Sequence, residues 1–308
     1  MRTPIAFLLP LLMLMLGCSS QQKLSGPTAA QSRELTTELE NLLDRFEGDA
    51  GLYLMHLPSG MEISIHADTI FPTASNIKIP ILVGLFDKIH RGEIGYRDEL
   101  IYRDSIAHGG SGLMQFFRDS VTTDVSTLAA LMITFSDNTT SLWSQALAGG
   151  GERINEIMED YGFQHTRVNS RTPGREHIRQ IYGRGQTTPR ELATLVRRIR
   201  QGELISPAAS DRMYRLLKSI YYDEGALARI PKEIATASKT GTVSDSRSEV
   251  VLVHAPSGDY VFAIMTKNNK DRRWVYENEA AELIRDVSSV IWNHLEPDHQ
   301  WMPYEQRF

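Results

Sequence analysis

Two β-hairpin signals at opposite ends of the chain constrain its architecture more than any other feature. Gly51-Leu-Tyr-Leu-Met-His-Leu and Met61-Glu-Ile-Ser-Ile-His flank Pro58-Ser59-Gly60, and Val250-Val-Leu-Val-His and Tyr260-Val-Phe-Ala-Ile-Met flank Pro256-Ser257-Gly258. Short β-rich runs bounded by Pro, Ser and Gly read as paired strands. A helical stripe accompanies each hairpin. Leu35, Leu39, Leu42, Leu43 and Phe46 share one face within 32–47, and Ala281, Leu283, Ile284, Val287 and Ile291 point inward within 277–295. Between these ends residues 75–230 read as mainly helical, with periods at Ile79–Ile89, Ser126–Ile133, Thr139–Leu147, Arg153–Tyr161 and Pro189–Ile199. Thr188-Pro189 offers a helix N-cap followed by Pro at the first helical position. The expectation is an α+β chain of two lobes. The terminal segments share one antiparallel sheet flanked by the terminal helices, and the middle forms an all-α lobe. No linker-like stretch interrupts residues 32–298, so the two lobes form one cooperative domain.

The first residues read as targeting rather than fold. Arg2 is followed by an apolar run from Ile5 to Leu16 broken only by Pro10, the length of a signal segment and too short to span a bilayer. Met15-Leu16-Gly17-Cys18 then resembles a bacterial lipobox, in which the Cys is lipidated and becomes the new N-terminus. On this reading 1–17 is a lipoprotein signal peptide, 18–31 a flexible tether and 299–308 a short C-terminal tail. The protein is then exported and anchored to a membrane of the cell envelope through acyl chains on Cys18. Cys18 is the single Cys of the 308 residues, so no internal disulfide forms. The net charge is -5 with acidic and basic residues interspersed, which argues against a nucleic-acid partner. The nine His show no H-x-H or H-E-x-x-H string, and no Gly-rich phosphate loop follows a strand, so neither a metal nor a cofactor is expected.

Three strings carry the chemistry: Ser75-Asn76-Ile77-Lys78, Ser136-Asp137-Asn138 and Lys239-Thr240-Gly241. Singly each is weak; together and in this order they form the S-x-x-K, S-D-N, K-T-G set of class A β-lactamases and penicillin-binding proteins. The chain resembles the class A β-lactamases over nearly all of 33–297. Phe71-Pro-Thr-Ala-Ser-Asn-Ile-Lys-Ile-Pro-Ile-Leu, Gly110-Ser-Gly-Leu-Met-Gln and Ser238-Lys-Thr-Gly-Thr also fit that family's wording.

Ser75 and Lys78 are three apart, so on a helix they share a face and can touch. A serine hydroxyl needs a base, and a lysine serves as one when burial or another cation lowers its pKa. Lys239 can supply that cation or bind a substrate carboxylate. The resemblance implies that Ser136 relays a proton to the leaving nitrogen and Asn138 holds the substrate amide. It also implies that the backbone N–H groups of Ser75 and Thr242 form the oxyanion hole, and that Arg247 pairs with a substrate carboxylate. Read alone, each of these residues has an ordinary structural role too, Arg247 as a solvated strand residue and Ser75 as a helix cap.

The resemblance breaks at the base that would release the acyl group. Class A enzymes place a glutamate in an E-x-x-L-N string before a Thr-Thr-x-Pro-like helix start, here Thr187-Thr188-Pro189. A gapless count puts Thr172 there; sliding the register by four gives Glu176-His177-Ile178-Arg179-Gln180. Glu176 is the candidate base, with an ion pair to Arg171, Arg175, Arg179 or Arg184 as its other reading, and His177 is not singled out by spacing. Three functions compete. The first is a serine β-lactamase acylated on Ser75, and the second a penicillin-binding D,D-peptidase acting on peptidoglycan stem peptides. The third is a β-lactam-binding lipoprotein without turnover. Each implies a small-molecule or peptide substrate and a monomer.

Overall fold

The structure, a computed structural model, describes residues 27–299. The signal segment, Cys18 and the tail beyond His299 lie outside the described residues. The tether reading ends early, because Thr28 caps helix α1 (Ala29–Asp44) with a reciprocal bond to Gln31.

A five-stranded antiparallel sheet has the order β2-β1-β10-β9-β8. It comprises β1 (Asp49–His56), β2 (Met61–Ile65), β8 (Thr236–Val243), β9 (Ser246–Ala255) and β10 (Gly258–Lys267). Pairing of β1 with β10 joins the two ends of the chain, with Leu52 opposite Ile264. The two Pro-Ser-Gly turns meet at this seam. A Cβ on Gly258, which holds φ +124, would lie 2.3 Å from Pro58 Cγ, so this close approach requires glycine.

Both faces of the sheet are buried, which explains the unbroken apolar run in β9. Val251, Val253, Tyr260, Phe262 and Ile264 join Leu35, Leu39, Val287 and Trp292 beneath α1 and α9 (Glu279–Leu295). The alternate residues Val250, Leu252, Val261, Ala263 and Met265 face the helical lobe with Ile79, Leu82, Leu195 and Met213.

That lobe holds α2 (Lys78–His90), α3 (Val125–Thr134), α4 (Asn138–Leu147), α5 (Gly150–Asp160), α6 (Glu176–Tyr182), α7 (Pro189–Arg200) and α8 (Pro207–Leu217). The five helical periods read from sequence coincide with α2, α3, α4, α5 and α7. Helix α8 opens on Ser206-Pro207, the same cap signature as Thr188-Pro189, though the sequence reading drew no helix there. Small ladders complete the lobe: β3 (Phe71–Pro72) with β7 (Gly185–Thr187), β6 (Arg167–Val168) with β7, and β4 (Glu99–Ile101) with β5 (Thr122–Asp124).

The approach to β6 is pinned by one carboxylate. Glu191 accepts from the N–H of Gln164 at 2.7 Å, His165 at 3.0 Å and Thr166 at 2.7 Å, and from the Thr166 hydroxyl at 2.6 Å. Removing an acceptor that satisfies several donors leaves them unpaired. Glu191→Ala should therefore cost about 2–4 kcal/mol, read as a lowered urea midpoint; an unchanged midpoint would show that water replaces the carboxylate without loss.

Candidate active site

The nucleophile candidate sits where a strand gives way to a helix. Pro72 pairs with Gln186, and the Thr73 N–H donates to Gly185 O at 2.9 Å. A 3-10 turn over Ala74–Ile77 follows, and α2 begins at Lys78, so Ser75 lies on the turn and not on the α-helix expected. Ala74 holds φ 44, in the left-handed region that a residue with a Cβ enters at a cost. Buried Asn76 ties this turn to β9 by donating to Ser248 Oγ at 2.8 Å.

Lys78 is fully buried, and its Nζ meets four oxygens: Ser75 Oγ at 3.0 Å, Ser136 O at 2.5 Å, Ser136 Oγ at 3.0 Å and Asn138 Oδ1 at 3.1 Å. Two of these are carbonyl oxygens that only accept; the other two are hydroxyls that can also donate. Each can accept from the lysine, and a hydroxyl can in turn donate to its lone pair when the amine is neutral. Burial first, and then the charges of Lys239 and Arg184, hold the Lys78 ammonium well below its ordinary range, against the pull of Asp137. The cation effect expected of Lys239 is present, and Arg184 adds to it.

Ser136 reaches Lys78 because Asp137 forces the chain to turn. Asp137 caps α4 through the Thr140 N–H at 2.8 Å and accepts from Leu113 N at 2.6 Å and Met114 N at 2.7 Å. With its neighbour anchored on both sides, Ser136 takes φ 52. The same bonds fasten the Gly110–Gln115 segment, whose Ser111 O accepts the Asn138 N–H at 3.0 Å.

The edge strand β8 carries Lys239, Thr240, Gly241 and Thr242; Thr240 and Thr242 line the cavity, while Lys239 is fully buried with its Nζ donating to Thr240 O at 2.9 Å. Burial pushes Lys239 down to about 7, opposed by the buried carboxylate of Glu249. Burial in turn raises Glu249, opposed by hydrogen bonds from Ala226 N–H at 2.7 Å and Ser238 O–H at 2.7 Å. Arg247 lies on β9 opposite Thr242, as expected. Its Nη2 donates to Arg273 O at 2.7 Å, its guanidinium sits 5.6 Å from the Trp274 ring, and its buried Nε has no partner. An open cavity of about 1090 Å³ joins Ser75, Ser136, Asn138, Thr240, Thr242 and Arg247.

Glu176 is not brought to this cavity. It opens α6, is exposed, and accepts from Gly174 N at 3.3 Å. Seven-residue α6 turns its first turn outward and presents its last residues, Arg179 to Tyr182, to the cavity wall. The expected ion pair is absent too: Arg175 donates to Asn169 at 2.7 Å and Gln186 at 3.0 Å, while Arg184 donates to Asn138 Oδ1 at 2.9 Å. His177 is exposed and is not among the wall residues. Thr172 is buried, its hydroxyl donating to Ser170 O at 3.2 Å.

Arg184 is the site residue that sequence reasoning missed. It precedes β7, the strand paired with the segment leading to Ser75, so pairing carries it to Asn138. No motif marks it; its nearest signal is the helix start at Thr188-Pro189. Among the described residues no cluster of His, Cys, Asp and Glu is suited to a metal ion.

Comparison with known proteins fits this geometry. The model of the Beta-lactamase enzyme family matches residues 34–295. β-Lactamase VEB-1 of Pseudomonas aeruginosa is 20% identical, over 86% of this chain and 91% of its own. A β-lactamase of Rhodobacter capsulatus is 24% identical, over 87% and 93%. Among solved structures PBP-A is 30% identical with a TM-score of 0.76, over 86% of this chain and 96% of that one. A mutant of PBP-A has been solved as an acyl-enzyme complex with penicillin G. A β-lactamase from Sphaerobacter thermophilus, at 20% identity and a TM-score of 0.75 over 88% and 99%, shares the fold.

Gly241 leaves no room for a side chain between β8 and the turn that carries Ser75. A Cβ there would lie 2.5 Å from Thr73 O, 2.7 Å from Ser248 Oγ and 2.9 Å from Asn76 Nδ2. Gly241→Ala should push β8 off the turn that carries Ser75 and slow β-lactam hydrolysis by about 100-fold, a misplacement near 1 Å being worth that much. Initial rates with a chromogenic β-lactam read this; a rate within threefold of the parent would mean that the turn gives way at no cost.

Proposed function

The chain belongs to the Beta-lactamase enzyme family and is a serine hydrolase with the class A fold, and on that premise we propose that it opens β-lactam rings through an acyl-enzyme on Ser75. The observation that carries this reading is the Lys78 amine, buried 3.0 Å from Ser75 Oγ with no carboxylate hydrogen-bonded to it among the described residues.

Neutral Lys78 takes the Ser75 proton as Oγ adds to the lactam carbonyl carbon. The resulting oxyanion is held by the N–H groups of Ser75 and Thr242, donors worth several kcal/mol in the transition state. The C–N bond then breaks. Its nitrogen receives a proton from Ser136 Oγ, which is replenished from Lys78 across 3.0 Å. Lys78 is thereby neutral again, and Ser75 carries the acyl group. Asn138 Nδ2 holds the acyl amide, and Lys239, Thr240 and Arg247 hold the carboxylate of the departing side.

Hydrolysis requires an activated water. No carboxylate hydrogen-bonds to Ser75, Lys78 or Ser136 among the described residues, and Glu176 faces solvent. Regenerated Lys78 is then the base for both halves. A dedicated base contributes roughly 10²–10⁴ in rate, so the adduct should be long-lived. This favours a second reading, a penicillin-binding D,D-peptidase, as does the 30% identity with PBP-A. The string Met15-Leu16-Gly17-Cys18 supports an exported enzyme held to a membrane by lipid on Cys18.

Intact-protein mass spectrometry of the chain with benzylpenicillin tests the site. Parent protein should gain one penicillin mass and lose it over minutes to hours, and Ser75→Ala should gain none. Labelling of Ser75→Ala would remove Ser75 from the mechanism, and release within seconds would point to a base other than Lys78. Acylation should also follow a bell-shaped pH profile. Its acid limb rises with pH as Lys78, whose pKa is lowered, loses its proton. Its alkaline limb falls as Lys239, pushed down to about 7, loses the charge that holds substrate. A profile flat between pH 5 and 9 would overturn the lysine assignments.

A further inference from the structure

The wall of the cavity formed by 179–184 carries two arginines that make no ion pair among the described residues. Arg184 donates from Nη1 to Asn138 Oδ1 at 2.9 Å and bonds through Nη2 to His108 Nε2 at 3.1 Å. Both partners are neutral. A guanidinium only donates, so His108 Nε2 accepts and its ring proton sits on Nδ1. Burial first, and then Arg184 and Arg171, hold the His108 imidazolium below its ordinary range.

Arg179, on the last turn of α6, is exposed and lines the same cavity. Neither Arg179 nor Arg184 is within ion-pair distance of a carboxylate among the described residues. Glu176, the acid nearest in sequence, accepts from Gly174 N instead. Burial and the charges of Arg179 and Arg171 all work against the Arg184 cation. Of the acids of the cavity wall, Glu224 lies between α8 and the 3-10 turn at Ala226–Arg229, Asp245 lies between β8 and β9, and Glu249 lies on β9, where it is already held by Ser238 and Ala226. A partly buried guanidinium repelled by its neighbours and bonded only to neutral groups is an unfinished ion pair.

We propose that Arg184 and Arg179 form a second anion subsite beside Asn138, selecting donors whose acyl portion carries a carboxylate of its own. The subsite rests on the acyl-enzyme reading above, since Asn138 is the residue that would hold the acyl amide. Lys239 and Arg247 meet the carboxylate on one side of the scissile bond, and Arg184 and Arg179 meet another on the opposite side. A dianionic donor thus satisfies both cationic walls. The same chemistry is met in a β-lactam with an acidic side chain and in a peptide with an acidic residue before D-Ala-D-Ala.

Benzylpenicillin and its α-carboxy derivative differ by the one carboxylate in question. The parent should be acylated about tenfold faster by the dicarboxylate, the factor worth 1.4 kcal/mol for a charge-assisted pair. That preference should shrink towards unity in Arg179→Gln and in Arg184→Gln, and with rising salt. No preference in the parent, or a preference both variants retain, would overturn the subsite. Arg179 is exposed, so its variant stays informative even if Arg184→Gln fails to fold.

Calorimetry on Ser75→Ala separates this proposal from the acylation reading, because it measures binding without chemistry. A dicarboxylate preference there with no labelling of the parent would retain the subsite and reject the acyl-enzyme; labelling without that preference would do the reverse. Acetyl-L-glutamyl-D-alanyl-D-alanine and its glutaminyl counterpart, competed against the penicillins, identify the source. A preference for the glutamyl peptide assigns the subsite to peptide donors, and its restriction to the penicillin pair assigns it to β-lactams.

Discussion

Everything in the site depends on burying a lysine. Lys78 opens α2 inside the helical lobe, where an ammonium costs several kcal/mol to desolvate unless it is paired with a charge. No carboxylate hydrogen-bonds to it. Four oxygens surround it instead, and the nearby charges are mostly of its own sign. Burial and those charges disfavour the ammonium, and an amine so held 3.0 Å from a serine hydroxyl is placed to act as a base.

The surrounding fold keeps those oxygens in place. Ser136 and Asn138 come from the turn before α4, Ser75 from the turn after β3, and Lys239 from the edge of the sheet. These pieces belong to both lobes, so the site exists where the lobes are packed together. Its closeness shows in the backbone: Ala74 and Ser136 occupy left-handed φ values, and Gly241 has no room for a side chain. Such strain survives where neighbours over-determine it, here Asn76 bound to Ser248 and Asp137 bound to Leu113, Met114 and Thr140.

Charge balance sets what the site does next. Arg184 and Arg247 line the cavity, with Lys78 and Lys239 buried behind Ser75 and Thr240, while Glu249 lies buried against Ser238 and Ala226. This arrangement favours anionic substrates and lowers lysine pKa values. No carboxylate hydrogen-bonds to Ser75, Lys78 or Ser136 among the described residues.

Much of this was legible in the residues themselves. The paired hairpins, the terminal helices and the five helical periods are local patterns, and local patterns survive folding when a buried face rewards them, as Leu35 and Leu39 on α1 or Val250 to Val253 on β9 show. The S-x-x-K, S-D-N and K-T-G strings were visible because each keeps its spacing within one turn or strand. The stretch 166–187 was not legible. Its course is decided by Glu191 gathering the N–H groups of 164–166 and by β7 pairing with β3, contacts between residues far apart in sequence. Sequence therefore determined that a serine and two lysines would meet. Only tertiary structure decided that Glu176 faces solvent while Arg184 faces Asn138, because the direction of a side chain on a loop is set by what the loop is tied to.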